Sequence, residues 1–289
     1  MLIIRSIAQL RKTLQADRGK GRSIGFVPTM GYFHEGHLSL MRQAKKENDV
    51  CVVSIYVNPA QFGPKEDFNQ YPRDLKRDSS MIIKENVDIL FIPSNNEIYP
   101  SSYLTYIDVE KISKPLCGQF RPGHFRGVAT IVAKLLNIVA PDVMYLGQKD
   151  AQQVAVLKAM ARDLNFPAKI KVVTTKREAD GLAMSSRNKY LTVEDRQEAV
   201  VLYQALRQAK TKIQQGERSA AQIKNLVKNL IVKKSSGKIQ YVECVNADTL
   251  EELTTLQGQV LIALAVFFGK TRLIDNIRIS LHEPRKIKS

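Results

Sequence analysis

The chain has 289 residues, of which 44% are apolar and 25% are charged, and its formal net charge is +16. These proportions are ordinary for a soluble globular protein with one large domain or two. The longest apolar run, Val260 to Phe268, is too short to cross a bilayer as a helix, and the run after Met1 is too short for a signal peptide, so we expect a cytoplasmic protein without a membrane partner.

The positive charge is spread along the chain, with one terminal concentration at 285–288. No RNA-binding aromatic motif, zinc finger or heptad repeat accompanies it, so we expect a basic surface that attracts anionic nucleotides and acids, and no nucleic-acid partner. The cysteines, Cys51, Cys117 and Cys244, are widely spaced and form no CxxC pair. They predict buried small side chains and no disulfide framework or zinc site.

The first part of the chain alternates short β-rich runs with helical patterns. Apolar, β-branched runs predict buried strands at Ser23–Val27, Cys51–Val57, Val87–Ile92, Val143–Leu146 and Lys169–Thr174. Apolar residues at helical spacing predict helices at Leu38–Lys46, Arg73–Lys84, Val128–Val139 and Gln152–Leu164. The alternation predicts an α/β fold with a doubly wound parallel sheet, in which ligands collect at the carboxyl ends of the strands.

The pattern changes after about residue 175. A capping box at Thr192 opens a helix that ends at Gly216, and a second helix is predicted over 220–232. Three runs then predict antiparallel strands: Lys238–Val245, Val260–Val266 and Arg272–Ile279. We therefore expect two domains, 1–175 with the parallel sheet and a smaller α+β domain over 176–289.

The stretch from Pro28 to Leu40 joins a predicted strand to a predicted helix. A sharp turn there would direct free backbone N–H groups and a positive helix end towards an anion. His34 and His37 lie at i, i+3 and share a face of the first turn, and Gly36 lets a ligand approach the backbone. Solvent exposure, helix capping and metal binding are the alternatives, but no cysteine or second carboxylate completes a metal site.

Two further strand ends carry polar side chains. Asn58 and Gln61 follow the second strand and offer amides for hydroxyl or carboxylate groups, although Asn-Pro alone is a common turn. At the next junction Gly147 can bring the backbone against a nucleotide, Lys149 supplies positive charge and Asp150 can accept from ribose hydroxyls. A surface turn with Asp150 as helix cap is the alternative.

The segment 177–188 follows the predicted domain boundary. Its Ser185, Ser186 and Arg187 are donors of the kind that bind phosphate oxygens. A polar interdomain linker is the alternative, but its place at a domain junction favours a binding site.

Five motifs together resemble the pantoate–β-alanine ligase (pantothenate synthetase) family, and the likeness covers nearly all of the first 190 residues. They are Pro-Thr-Met-Gly-x-x-His-Glu-Gly-His at 28–37, Val-Ser-Ile-Tyr-Val-Asn-Pro-x-Gln-Phe-Gly at 53–63, Arg-Pro-x-His-Phe-Arg-Gly at 121–127, Gly-x-Lys-Asp-x-Gln-Gln at 147–153 and Arg-Glu-Ala-Asp-Gly-Leu-Ala-Met-Ser-Ser-Arg at 177–187. His34-x-Gly-His37 alone points only to the wider nucleotidyltransferase and class I synthetase superfamily.

The resemblance implies a Rossmann-like first domain, a C-terminal lid domain and a homodimer. It also implies a reaction in which pantoate and ATP give pantoyl adenylate and pyrophosphate with Mg2+, after which β-alanine displaces AMP to give pantothenate. By family match the catalytic residues are His34, His37, Lys149, Ser185, Ser186 and Arg187, with His37 as proton donor. Mg2+ would be held mainly through the ATP phosphates.

The same family match implies the binding residues. ATP would be bound by Met30, Gly31, His34, Gly36, His37, Gly147, Lys149, Asp150, Lys176, Met184, Ser185, Ser186 and Arg187. Pantoate would be bound by Asn58, Gln61 and Gln153, with Gln61 near β-alanine too. Three residues depart from the usual family pattern, namely Gln148, Ala151 and Lys176, and we expect modest effects on affinity.

Two other functions compete with this one. A nucleotidyltransferase that moves AMP onto a phosphate acceptor would use the same histidines, but the amides of Asn58, Gln61 and Gln153 suit a hydroxy acid better. A basic nucleic-acid-binding protein would show tight, salt-dependent binding to generic oligonucleotides.

Overall fold

A six-stranded parallel sheet organises the first part of the chain. The computed structural model describes residues 1–64 and 66–281, and the strands pair in the order β1-β4-β3-β2-β5-β6 with every pair parallel. The strands are β1 (Leu2–Ile4), β2 (Ile24–Thr29), β3 (Val50–Ile55), β4 (Ile89–Phe91), β5 (Val143–Gly147) and β6 (Lys169–Val173). This architecture confirms the predicted α/β class.

Seven helices flank this sheet or connect its strands in the described residues up to 176. They are α1 (Ile7–Arg18), α2 (Glu35–Glu47), α3 (Leu75–Lys84), α4 (Asn95–Ile98), α5 (Cys117–Phe120), α6 (His124–Val139) and α7 (Ala151–Asp163). Helix α2 packs against β2, β3 and β5, and α6 packs against α1 and β2. Val27 and Val53 point into one core and Phe26 and Val52 to the opposite face, yet all four are fully buried, as expected for a sheet covered on both sides.

The strand order of the parallel sheet indicates where a ligand is expected to bind. The chain runs outward from β2 through β3 to β4 and then returns to the other side of β2 as β5, so the order reverses between β2 and β5. Open α/β sheets bind ligands at the carboxyl ends of the strands flanking such a reversal. Gly25 pairs with Val143 and Phe26 with Met144. Extending that register puts Gly147 level with Thr29, the last residue of β2.

The later part of the chain combines helices with an antiparallel sheet. Its elements are α8 (Val193–Glu198), α9 (Val201–Gln214), α10 (Ala220–Lys234), β7 (Lys238–Asn246), β8 (Gly258–Phe268) and β9 (Thr271–Leu281), and the strands pair in the order β7-β8-β9. Apolar residues of α9, α10 and the sheet form one core. The predicted α+β character is confirmed.

Close contacts divide the chain into two compact units. The first contains residues 1–114, 118–148 and 156–176, and the second contains 115–117, 149–155 and the described residues from 177 onward. Two short segments that precede residue 176 in the sequence, 115–117 and 149–155, therefore belong to the second unit. The boundary between residues 175 and 176 that we read from the sequence stays a prediction, and the basic segment 285–288 lies outside the described residues.

Some elements differ from their predictions. β1 and α1 were not predicted, because β1 is a very short edge strand and α1 buries only Leu10 and Leu14. The helix predicted after Thr192 is two helices, α8 and α9. At their junction Leu202 N–H donates to the carbonyl of Ala199, three residues back, so the ladder tightens locally.

All three cysteines are free and buried, as the composition predicted. None of the helices in residues 1–64 and 66–281 is long and apolar enough to cross a membrane.

Candidate active site

The turn between β2 and α2 is built around backbone in the left-handed region. Gly31 has φ of +82° and Tyr32 has φ of +52°. The Gly31 N–H donates to Thr29 Oγ1 at 3.2 Å, while the Thr29 hydroxyl donates to the Ser54 carbonyl at 2.6 Å on the adjacent strand. The turn is thereby fastened to the carboxyl ends of β2 and β3.

A buried carboxylate holds the other side of this turn. Asp78 on α3 is 1% exposed and accepts the N–H groups of Tyr32 at 2.6 Å and Phe33 at 2.8 Å. Burial raises the pKa of Asp78, against the opposing effect of these N–H donors and of Arg77. Arg77 also donates to the Phe33 carbonyl at 2.9 Å. The turn that delivers His34 is therefore fixed from two sides.

Asp78 was not predicted from the sequence. It lies four residues before Ile82, and both are buried on one face of α3. A lone acid at an apolar position of an amphipathic helix was the available signal, because such a charge is buried only when it has partners.

His34 and His37 cap the start of α2 reciprocally. His34 Nδ1 accepts the Gly36 N–H at 3.1 Å, and His37 Nδ1 accepts the His34 N–H at 3.3 Å. The two rings lie 4.1 Å apart between centroids, with an angle of 39° between their planes. A nitrogen that accepts carries no proton, so the neutral form of each ring holds its proton on Nε2. Both imidazoles are thus set as Nε2–H donors at a positive helix end.

Gly36 is required by the capping histidine itself. A Cβ at this position would lie 2.8 Å from both Cε1 and Nδ1 of His34, and 4.0 Å from the Cβ of Lys176. The glycine therefore lets the imidazole fold over the first turn. Lys176 lies beside the same turn, where its charge contributes to lowering the pKa of Glu35, an effect due mainly to the Glu35–Arg42 hydrogen bond.

Asn58 and Gln61 form a single amide unit after β3. Asn58 is 1% exposed, and its Nδ2 donates to Gln61 Oε1 and to the Gly127 carbonyl, both at 3.1 Å. Its Oδ1 accepts from Tyr99 Oη at 3.0 Å. Gln61 Nε2 in turn lies 3.2 Å from the sulfur of Met30. Gln61, one of the two amides predicted to bind an acid, thus contacts Met30 of the turn that leads to His34. Asn58 orients the Gln61 side chain through its hydrogen bond to Oε1.

The motif at 121–127 supports the backbone of this amide unit. His124 Nδ1 lies 2.8 Å from the Gln61 carbonyl, and Arg121 Nη1 lies 3.0 Å from His124 Nε2. Arg121 also binds both carboxylate oxygens of Glu66 at 2.6 Å. A Cβ at Gly127 would overlap the carbonyl group of Ala60 and lie 2.7 Å from Gln61 N, so α6 and the turn pack backbone against backbone.

Gly147 ends β5 level with Thr29, and a Cβ there would meet nothing within 4 Å. Unlike Gly36 and Gly127, it is not required by the packing of the described residues. The space beside it suits a ligand that approaches the backbone closely.

In the second unit, Lys149 and Asp150 lie in a short 3-10 turn before α7. Lys149 Nζ lies 3.7 Å from Asp150 Oδ1, and the Lys149 carbonyl accepts from Asn276 Nδ2 at 2.9 Å. Gln152 is buried and bridges the Pro115 carbonyl and the Cys117 N–H. The adjacent Gln153 is half-buried.

The serine–arginine segment of the second unit forms another 3-10 turn, Ser186–Tyr190. Ser185 caps it by accepting the Arg187 N–H at 3.2 Å. A hydroxyl that accepts one hydrogen bond can still donate one, so the cap is compatible with phosphate binding. Met184, Ser185, Ser186 and Arg187 are all half-buried.

The predicted site residues therefore fall into two groups. The first unit contains Met30, Gly31, His34, Gly36, His37, Asn58, Gln61, Gly147 and Lys176, and the second contains Lys149, Asp150, Gln153, Met184, Ser185, Ser186 and Arg187. Of the three departures from the family pattern, Gln148 and Lys176 belong to the first unit and Ala151 to the second.

Residues 1–64 and 66–281 contain no cluster of three His, Cys, Asp or Glu side chains that could hold a metal ion.

Nearly the whole chain is similar to known proteins of one family. The family model described as pantoate-beta-alanine ligase matches residues 2–278. The pantothenate synthetase of Caldicellulosiruptor bescii is 53% identical over 277 residues, which cover 96% of this chain and 98% of that protein.

Two solved structures resemble the chain over nearly its whole length. Pantothenate synthetase from Thermus thermophilus has a TM-score of 0.91 at 42% identity, covering 96% of this chain and 99% of that one. Pantoate-beta-alanine ligase from Francisella tularensis, in complex with beta-gamma ATP and beta-alanine, has a TM-score of 0.78 at 38% identity, covering 96% and 97%. The chain belongs to the pantoate–β-alanine ligase family.

Proposed function

We propose that this chain ligates pantoate to β-alanine with cleavage of ATP to AMP and pyrophosphate, through a pantoyl-adenylate intermediate. The observation that carries the proposal is the reciprocal histidine cap, which leaves the proton of each neutral imidazole on Nε2 at the turn after β2, and Met30 of this turn lies against the amide of Gln61. Donors fixed in advance stabilise the charge that develops on a phosphoryl group under attack. The Gln61 amide suits the hydroxyl and carboxylate groups of a small acid.

In the first step a carboxylate oxygen of pantoate attacks the α-phosphorus of ATP. The bond from that phosphorus to the bridging oxygen breaks, and pyrophosphate leaves with the electron pair. From the first unit we assign charge stabilisation to His34 and His37, with His37 as proton donor to the leaving group. Met30, Gly31, Gly36, Gly147 and Lys176 would contribute backbone contacts to the nucleotide.

From the second unit we assign phosphate binding to Lys149, Ser185, Ser186 and Arg187. Asp150 would accept from the ribose, and Met184 would border the adenine. A Mg2+ ion, if bound to the phosphates, would supply further charge neutralisation. Pantoate would be bound by Gln61 and Gln153, with Asn58 orienting Gln61.

In the second step the amine of β-alanine attacks the acyl carbon of the adenylate. The carbon–oxygen bond to AMP breaks, the nitrogen loses a proton, and pantothenate and AMP are released. Gln61 would also contact β-alanine. Water must be kept from the intermediate, because an acyl adenylate hydrolyses readily.

Pyrophosphate exchange into ATP tests this proposal. We expect exchange that requires pantoate and Mg2+, and release of AMP with formation of pantothenate only after β-alanine is added. Exchange that is indifferent to pantoate would favour AMP transfer to another acceptor. Tight, salt-dependent oligonucleotide binding without ATP turnover would favour a nucleic-acid-binding protein instead.

We also propose that the protein works as a homodimer in the cytoplasm. Light scattering coupled to gel filtration should give a mass near twice the 32.6 kDa of the chain. A mass that stays near the single-chain value at micromolar concentration would rule the dimer out.

A further inference from the structure

Two adjacent polar residues of β9, Asp275 and Asn276, are almost fully buried, with 3% and 5% of their surfaces exposed. Neither belongs to a motif that the sequence analysis singled out. Successive side chains of a strand point to opposite faces of the sheet. Asp275 alternates in step with Leu273 and Ile279, which pack into the apolar core, whereas Asn276 points to the other face. Each of the two contacts a segment of the second unit that leads to or contains a residue assigned to phosphate binding above.

Asp275 fixes the segment that leads to the serine–arginine turn. Its two carboxylate oxygens accept from Arg177 Nη1 at 2.6 Å and Nη2 at 2.9 Å. Arg177 also donates to the Gly181 carbonyl at 3.1 Å, and its guanidinium lies 3.6 Å from the ring centroid of Tyr203. A two-point ion pair stacked on an aromatic ring allows a single orientation. The segment from Arg177 to the Ser186–Tyr190 turn is therefore held in place at its first residue.

Asn276 fixes the second segment. Its Nδ2 donates to the backbone carbonyl of Lys149 at 2.9 Å. This bond holds the main chain from which the Lys149 side chain extends, and leaves the ammonium group to act elsewhere. Lys149 and Arg177 are thus attached to consecutive residues of one hydrogen-bonded strand.

We propose that Asp275 and Asn276 are positioning residues that set Lys149 and the Ser185–Arg187 turn in mutual register before ATP binds. The inference rests on the phosphate-binding roles assigned above. Groups arranged in advance need not be ordered when the ligand binds, so the pair contributes to ATP affinity and to adenylation without touching the substrate.

Asn276→Ala tests the proposal, with Ser280→Ala as the matched control. Ser280 lies on the same strand and alternates in step with Asn276, but its hydroxyl donates to Gln259 on β8. In pantoate-dependent exchange we expect the KM for ATP to rise about tenfold in Asn276→Ala, with kcat reduced less and the KM for pantoate unchanged. Ser280→Ala should keep wild-type constants. An unchanged KM for ATP in a folded Asn276→Ala protein would overturn the proposal.

A double-mutant cycle separates positioning of Lys149 from a general structural effect. The affinity for MgATP is measured by calorimetry in wild type, Asn276→Ala, Lys149→Ala and the double variant. If Asn276 acts through Lys149, the Asn276→Ala substitution lowers the affinity for MgATP only in the protein that still contains Lys149. Equal losses in both backgrounds would contradict the proposal.

Arg177→Lys provides a second measurement, since lysine keeps the charge but loses the two-point geometry. We expect the same selective rise in the KM for ATP. An equal rise in the KM for ATP and in the KM for pantoate would count against the role given to Asp275. Failure of the proposed function itself looks different, because wild-type protein would then show no pantoate-dependent exchange at all.

Discussion

His34 and His37 each accept a backbone N–H through Nδ1 at the start of α2, at 3.1 and 3.3 Å. Capping and the proposed catalysis therefore use opposite nitrogens of the same two rings. The cap fixes which nitrogen of the neutral ring bears the proton, so the geometry that the proposed chemistry requires is already part of the folded helix.

His37→Ala should lower the adenylation rate by about 10²-fold, as expected for the loss of one charge-stabilising donor. Removal of a cap should also cost about 1 kcal/mol of folding stability. Exchange kinetics and thermal unfolding measure the two effects separately. Ser39→Ala is the control, since the Ser39 hydroxyl donates to the Gly36 carbonyl in the same turn. Near-normal exchange in His37→Ala would remove His37 from the mechanism.

Gly36→Ala should reduce exchange by about tenfold or more, the order of one misplaced donor. The added methyl group would lie 2.8 Å from the His34 ring, which must move. Alanine is otherwise favoured over glycine within a helix by about 0.5–1 kcal/mol. The exchange rate should therefore fall while the free energy of unfolding changes little. A variant that keeps full activity would show that the His34 position is not critical.

Gly147→Ala should affect ATP binding without affecting stability. The methyl group meets no protein atom within 4 Å, so the melting temperature should stay at the wild-type value. If the nucleotide approaches the backbone here, the KM for ATP should rise about tenfold, a cost of about 1.4 kcal/mol. An unchanged KM would exclude Gly147 from nucleotide binding while leaving the rest of the site untouched.

Asp78→Asn should also lower exchange about tenfold. An amide would present N–H groups where the turn needs two acceptors, leaving a buried N–H unsatisfied at a cost of about 1–3 kcal/mol. Asp74→Asn is the matched control, because Asp74 caps α3 by accepting the Arg77 N–H at 3.0 Å and asparagine caps equally well. Equal effects of the two substitutions would contradict the role given to Asp78.

The Glu66–Arg121 pair should contribute to stability in a pH-dependent way. Burial opposes ionisation of Glu66, but the hydrogen bonds and charge of Arg121 hold its pKa below the usual range. The contribution of a lowered carboxyl pKa is fully present above the unfolded value of about 4.3 and is lost as pH falls through the folded value. Glu66→Gln should therefore cost about 1 kcal/mol at pH 7. Urea unfolding at pH 7 and below pH 4 should show this difference shrinking, and a constant difference would contradict it.

Much of the first domain was predictable because its strands are buried on both faces and read as continuous apolar runs. Val50–Ile55 and Val143–Gly147 lie within a residue or two of their predicted bounds. The α8–α9 junction was not predictable, since the apolar stripe of the predicted helix hides the tightened turn at Ala199.

The residues of the candidate site could be predicted only where they lie close together in the sequence, in a short motif. Histidines and glycines close together at a strand–helix junction indicate an anion site without further information. Asp78, Asp275 and Asn276 act across long sequence separations, and a single polar residue in an apolar pattern does not reveal its partner. Helix capping by the two histidines was one of the alternatives that the sequence left open, and the structure shows it. Its reciprocal form was not predicted, because histidine is an uncommon capping residue.

The main-chain contact between Gly127 and the Ala60–Gln61 turn restricts how the specificity of this enzyme can evolve or be engineered. No side chain fits between these two backbones, so a library intended to accept bulkier acids gains nothing by varying position 127 and loses folded members. Side chains that rest on this contact, above all Gln61, are where new substrate preference can be sought. The backbone at Gly127 and Ala60, below the proposed acid site, is therefore closed to variation, whereas the side chain of Gln61 is open to change.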